Sequence, residues 1–249
     1  MCMKFLTNTF VLNDEYRSGN QYNFTRADSP ETYAKNRRTK DESWYYWDRE
    51  IVYTVNSDFY RNPFEFSTLD WSNAIVLYGC SRVMGTGLSD EDTIRDQLAE
   101  YTDRPVVNMG SSSTSIAWSF HNACIQGTYY PKPWAVVNIW TSIYRIVEYN
   151  SSVVGTKNLG PWHIARPGDL LDLYTREQEN PIRWAQFHSM ASKIMWKDCK
   201  YLEYSSFEDT IEALGCTELP TVDRARDLTH PGRESAKLAA SIIAKDLSL

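Results

Sequence analysis

The chain is poor in the residues that build metal and redox centres. Its 249 residues include only 5 cysteines and 4 histidines. The cysteines are scattered, and no two have the Cys-x-x-Cys spacing of a zinc or dithiol site. Their odd number reads as reduced, mostly buried thiols rather than a disulfide framework. No stretch approaches the roughly 20 apolar residues of a membrane helix. The opening Met1-Cys2-Met3-Lys4-Phe5-Leu6 turns polar at Thr7, Asn8 and Thr9, without the apolar core of a signal peptide. An excess of positive charge is lacking too. The formal net charge is -6, which repels phosphate backbones and argues against nucleic acid as a partner. No internal repeat, low-complexity segment or phosphate-cradling glycine loop is present. These absences predict a chain that needs no metal or cofactor and no membrane, and that meets neutral or cationic partners.

What is there suits one α/β domain with an extension. Hydrophobic residues make up 42% of the chain, enough for a sizeable core, and aromatics 14%. Residues 1 to 70 form a polar, aromatic-rich lead-in. The basic run Lys35 to Lys40 reads as a solvated loop. Trp44 to Trp47 and Ile51 to Val55 are β-branched and aromatic, and predict one or two strands. From 71 to 249 the pattern changes. Ala74-Ile75-Val76-Leu77-Tyr78-Gly79 is a continuous apolar run, as expected of a strand buried on both faces. A helix is expected from Ser89-Asp90-Glu91-Asp92, with Ile94, Leu98 and Tyr101 buried. Val106 to Met109, Ala135 to Trp140 and Tyr201 to Tyr204 predict further strands. Residues 176 to 197 predict a helix with Pro181 in its first turn and Ile182, Ala185, Met190 and Ile194 inward. The last helix starts near Arg233 and presents Ala236, Leu238, Ala239, Ile242 and Ile243. The alternation predicts a three-layer α/β/α sandwich with a parallel sheet, flavodoxin-like in outline, behind a β-rich N-terminal extension.

Chemistry in such sheets gathers at the carboxyl ends of the strands. Three polar clusters fall there. Gly79-Cys80-Ser81 ends the first core strand, where a serine on a tight turn can present its hydroxyl. Asn108 to Ser115 is a run of small residues after the second strand, suited to aiming backbone N–H groups at a ligand. Asp227-Leu228-Thr229-His230-Pro231-Gly232 precedes the last helix, and its Asp and His can meet across a turn. Each has a plainer alternative: a strand end, a polar loop, a chance pairing. Cys80 is a rival nucleophile, although a structural thiol is the commoner case. His121, His163 and His188 read as structural or exposed, and Arg145 with Glu148 as a pair on one helix face. The segment from 150 to 170, with His163, reads as a surface excursion or a cover over the site.

Taken in this order, the clusters resemble the blocks of the SGNH/GDSL hydrolases. The first block, Gly-Asp-Ser in the family, is Gly79-Cys80-Ser81. The second matches at Asn108, Gly110 and Ser115, with Ser113 where the family has its second glycine. The third keeps Arg145 but has Thr141 in place of Asn. The last, Asp227-Leu228-Thr229-His230-Pro231, matches fully. The resemblance covers 74 to 249, with a weaker one in Tyr53 to Ser57 and Arg61. It implies an acyl-enzyme esterase with Ser81 as nucleophile, His230 as general base and Asp227 orienting it. Asp227 is then expected to favour the charged imidazole of His230. The resemblance also implies an oxyanion hole from Ser81, Ser113 and Thr141, with substrate contacts at Gly110 and Arg145. The expected substrate is a small ester, such as an acetylated glycan. The rival class is a catalytically weak glycan-binding or virion-assembly module. Location is expected to be cytoplasmic or virion-associated.

Overall fold

The computed structural model describes residues 21–150, 155–159 and 180–249. The extension contributes β1 (Gln21–Tyr22), α1 (Pro30–Arg37) and β2 (Tyr53–Thr54), the two strands pairing antiparallel. The predicted strand at Trp44 to Trp47 is instead a series of turns, tied by Trp47 N–H to the Trp44 carbonyl at 2.8 Å. Its aromatic rings pack edge-on, Tyr45 against Tyr46 and Trp44 against Tyr46, so burial of rings explains the run without a strand. Lys35, Asn36 and Arg37 end α1 rather than lying in a loop. Ser29 caps that helix through its hydroxyl, and Pro30 takes the first turn, where a missing N–H costs nothing.

The core follows as β3 (Ile75–Gly79), α2 (Ser81–Met84), α3 (Ile94–Ala99), β4 (Val106–Gly110), α4 (Ile116–Tyr129) and β5 (Ala135–Trp140). After the hairpin β6 (Ile146–Asn150) and β7 (Gly155–Leu159) come α5 (Pro181–Met195), β8 (Lys200–Ser205), α6 (Glu208–Leu214), β9 (Thr217–Glu218) and α7 (Arg233–Leu247). Five strands form one parallel sheet in the order β4-β3-β5-β8-β9. In core-strand terms this is the doubly wound order 2-1-3-4-5. Its direction reverses between β3 and β5, where open sheets leave a crevice.

Every residue of β3, β4 and β5 is buried, which is why these runs read as continuous rather than alternating. Successive side chains still go to opposite layers. Ile75 and Leu77 pack with Ile94, Leu98, Ala239 and Ile243 from α3 and α7. Val76 and Tyr78 pack with Trp118 from α4 and with Trp71 and Trp196.

Three helix expectations change. The Asp90–Asp92 segment is a single 3-10 turn, and α3 starts at Ile94 with Thr93 as its cap. Tyr101 lies beyond its end and is exposed. Helix α5 buries Ala185, His188, Ser189 and Ser192, while Met190 and Ile194 are 60% and 69% exposed. Its inward face is small and polar because Ser189 donates to the carboxylate of Glu203 at 2.7 Å. In α7, Ala236, Ala239 and Ile243 face inward as expected, but Leu238 is exposed. Arg145 and Glu148 share no helix, since residues 146 to 150 form a strand. His163 and the stretch 160–179 lie outside the described residues, as do residues 1–20.

Candidate active site

The site is built at the carboxyl edge of β3, β4 and β5. Ser81 opens α2 immediately after β3 and is 5% exposed. The turn is closed by the carbonyl of Cys80, which accepts from the N–H groups of Val83 and Met84 at 3.0 Å each. Helix α2 can lie this close to the sheet because glycine occupies both positions beneath it. A Cβ on Gly79 would stand 2.4 Å from Cγ2 of Val83, and one on Gly110 would stand 2.5 Å from the N of Met84. What the missing side chain of Gly110 admits on that side is α2. Asn108 supports the same arrangement. Its amide donates to the Val83 carbonyl and its Oδ1 accepts from Gly110 N–H, both at 2.8 Å.

The second cluster forms a turn between β4 and α4. Ser115 caps α4 through its hydroxyl, which accepts from Trp118 N–H at 3.2 Å. Ser113 has φ 62°, the left-handed region that favours glycine. The resemblance marked this position as a family glycine, and the backbone keeps the glycine conformation under a serine side chain.

Asp227 and His230 meet as expected. His230 Nδ1 lies 2.5 Å from Asp227 Oδ2, while Asp227 Oδ1 accepts from the N–H groups of Thr229 and His230 at 3.1 and 3.0 Å. Leu228, inside this turn, has φ 57°. Burial would raise the Asp227 carboxyl pKa. The hydrogen bond and charge of His230 and the two backbone N–H groups outweigh it, so the pKa falls below its ordinary value. An ionised Asp227 can only accept, so Nδ1 of His230 carries the proton and Nε2 of the neutral ring is left with its lone pair. That is the tautomer a general base needs.

Ser81 Oγ has Cys80 Sγ at 3.7 Å, and among the described residues no hydrogen bond joins it to His230. The two loops are nevertheless stitched together. Thr86 N–H donates to the Ser81 carbonyl at 3.1 Å, and Arg226 N–H donates to the Gly87 carbonyl at 3.1 Å.

Thr141, at the end of β5, is 2% exposed, and its buried hydroxyl faces the Cys80 thiol. It lies close enough to Cys80 to favour that residue's thiolate. Burial would push the Cys80 thiol up. The Arg145 guanidinium, the Thr141 and Ser81 hydroxyls and the Arg82 N–H outweigh it and bring the pKa down to about 7. Arg145 rests over the Phe207 ring at 5.3 Å. His188 is structural: its Nδ1 pairs with the Trp184 carbonyl at 2.8 Å and its ring stacks on Trp184. Among the described residues no group of three or more His, Cys, Asp or Glu could hold a metal ion, and no helix is long and apolar enough to cross a membrane.

The chain is similar in part to solved structures of carbohydrate esterases and G-D-S-L proteins. No family model matches it, and no curated protein matches it. Similar solved structures include an acetyl xylan esterase from Butyrivibrio proteoclasticus, at 11% identity and a TM-score of 0.43 over 71% of this chain. This chain spans 63% of that esterase's length. A carbohydrate esterase family 2 enzyme from Corynascus thermopiles is similar at 12% identity and a TM-score of 0.41, over 71% of this chain and 67% of that one. A member of the lipolytic protein G-D-S-L family from Veillonella parvula is similar at 8% identity and a TM-score of 0.39, over 69% of this chain and 96% of that one.

Two outcomes follow from this geometry. Ser113→Gly removes the Cβ from a left-handed position and raises stability by about 1 kcal/mol, read as a higher Tm. An unchanged or lower Tm contradicts the strain. For Asp227 the folded pKa is depressed, so its stabilising contribution is complete above the unfolded carboxylate value of about 4 and is lost as pH falls through the folded value. Asp227→Asn therefore lowers Tm at neutral pH and flattens its dependence on pH in the acid range. Parallel Tm curves for variant and wild type contradict this.

Proposed function

We propose that the protein is a serine hydrolase of carboxylic esters. The observation that carries this is the Asp227–His230 pair, whose Nδ1 is held by the Asp227 carboxylate, in a turn tied by a backbone hydrogen bond to the loop after Ser81. In the proposed reaction Ser81 Oγ attacks the ester carbonyl as His230 Nε2 takes its proton. The tetrahedral oxyanion collapses, the alcohol leaves with the proton from His230, and an acyl-Ser81 ester remains. Water, deprotonated by the same nitrogen, releases the acid and restores Ser81. No cofactor enters these steps.

The oxyanion donors are proposed to be the N–H groups of Ser81 and Ser113 and the Thr141 hydroxyl. The burial of that hydroxyl at the end of β5, next to Cys80 and Ser81, supports the assignment. The chemistry favours a small acyl group, since Ser81 is nearly enclosed. An O-acetyl group on a neutral carbohydrate fits, and Arg145 is the proposed contact to the remainder of the substrate. A second reading, binding without turnover, draws on the missing hydrogen bond between Ser81 and His230. Catalytic hydrogen bonds are often long without substrate and tighten around it, so the missing bond does not count against the hydrolase.

The two readings separate on p-nitrophenyl acetate. The wild type turns it over and Ser81→Ala does not. Thr141→Val keeps the shape and deletes one donor, lowering kcat by about 10²-fold with little change in KM. Residual turnover in Ser81→Ala equal to wild type sinks the hydrolase. A wild-type kcat in Thr141→Val leaves the oxyanion to backbone N–H groups alone.

A further inference from the structure

The residue before Asp227 is held in an unusual way. Arg226 is 1% exposed, although it is among the largest and most strongly charged side chains. Its guanidinium meets the carboxylate of Asp28 bidentately, Nε to Oδ1 at 3.0 Å and the terminal nitrogen to Oδ2 at 2.7 Å. The same nitrogen donates to the Asn23 carbonyl at 2.5 Å. The Phe24 and Tyr33 rings lie against the guanidinium at 4.5 and 5.1 Å. The backbone of Arg226 is fixed on both sides: its N–H donates to the Gly87 carbonyl at 3.1 Å, and its carbonyl accepts from the Asn36 amide at 3.1 Å. Asp28 is 0% exposed and also accepts from the Tyr53 hydroxyl at 2.6 Å. That hydroxyl in turn accepts from Gly87 N–H at 2.7 Å.

Every side-chain partner in this cage belongs to the N-terminal extension, and its two outlets are the loop after Ser81 and the turn of Asp227. We propose that Asp28 and Arg226 are positioning residues for the Asp227–His230 pair, and that the extension is thereby a working part of the active site. The proposal rests on the hydrolase reading. A buried ion pair is a poor stabiliser by itself, since apolar residues of the same volume often do as well. What the bidentate fork supplies is direction. Direction is needed here because Leu228, two residues on from Arg226, holds a left-handed backbone that an L-residue adopts reluctantly. Anchoring Arg226 on three sides fixes where that turn begins, and so where the Asp227 carboxylate points.

The test uses the full chain and two readouts. Asp28→Asn keeps the size and removes the charge. Its kcat on p-nitrophenyl acetate falls by roughly tenfold with KM nearly unchanged, because a small misplacement of the base costs turnover rather than binding. The downfield proton NMR resonance of His230 Nδ1–H weakens in parallel, while circular dichroism stays native. Tyr53→Phe keeps the ring and the ion pair and deletes the bridge between Asp28 and Gly87. It gives a smaller loss of the same kind, and it carries the test if Asp28→Asn does not fold. A folded variant with wild-type kcat and an undiminished resonance overturns the proposal. The resonance does not depend on ester turnover. If the wild type shows no activity that Ser81→Ala removes, the hydrolase reading fails while the resonance still decides the positioning role.

Discussion

Helix α2 lies on the sheet at a distance only glycine permits, and the placement of Ser81 depends on it. Gly79 and Gly110 sit side by side in register on β3 and β4. A Cβ on either would overlap Val83 or Met84. In a close-packed interior such overlap has to be relieved by moving backbone, and the backbone in question carries Ser81, the proposed nucleophile. Arg61 reinforces the far end of α2. Its buried guanidinium donates to the carbonyls of Met84, Gly85 and Leu88 at 3.2, 2.6 and 2.7 Å, and pairs with Asp90 at 2.7 Å. The Met84 carbonyl closes a four-residue helix, and the Gly85 carbonyl also accepts from Leu88 N–H at 3.1 Å.

The other half of the site is placed by electrostatics rather than by packing. The Asp227 carboxylate gathers two N–H groups and the imidazole, so its charge is retained despite burial. This turn is joined to the extension through Arg226 and to the Ser81 loop through Gly87. The two halves of the site are fixed to one another by backbone hydrogen bonds and by Arg82 of α2, which donates to the Leu219 and Pro220 carbonyls at 2.8 and 2.9 Å. Thr141 and Cys80 share the remaining space, and their mutual influence, with Arg145, makes the thiol unusually acidic.

Much of this was legible in the sequence because it depends on local pattern. The strands β3, β4 and β5 announce themselves as uninterrupted apolar runs, and α7 begins at Arg233 as read. Pro181 marks the first turn of α5. The Asp-x-x-His spacing closes within three residues, so its geometry is nearly intrinsic. The α3 boundary was misread because Ser89 and Thr93 both look like caps, and only packing of Ile94 chooses between them. The inward face of α5 differs because a half-buried Glu203 on β8 takes a hydrogen bond from Ser189, so serines rather than Met190 and Ile194 face the sheet. Arg226 could not be found at all. Its partner Asp28 is 198 positions away, and the only local signal is the adjacency of Arg226 to Asp227.

Ser81 as the nucleophile is the claim on which the rest converges, and covalent labelling tests it without knowledge of the substrate. The full chain is treated with a fluorophosphonate probe and the modified peptide is mapped by mass spectrometry. The account predicts a single adduct on Ser81, lost in His230→Ala because the hydroxyl then has no base. An adduct on Cys80, Ser111 or Ser112 in place of Ser81 would contradict it.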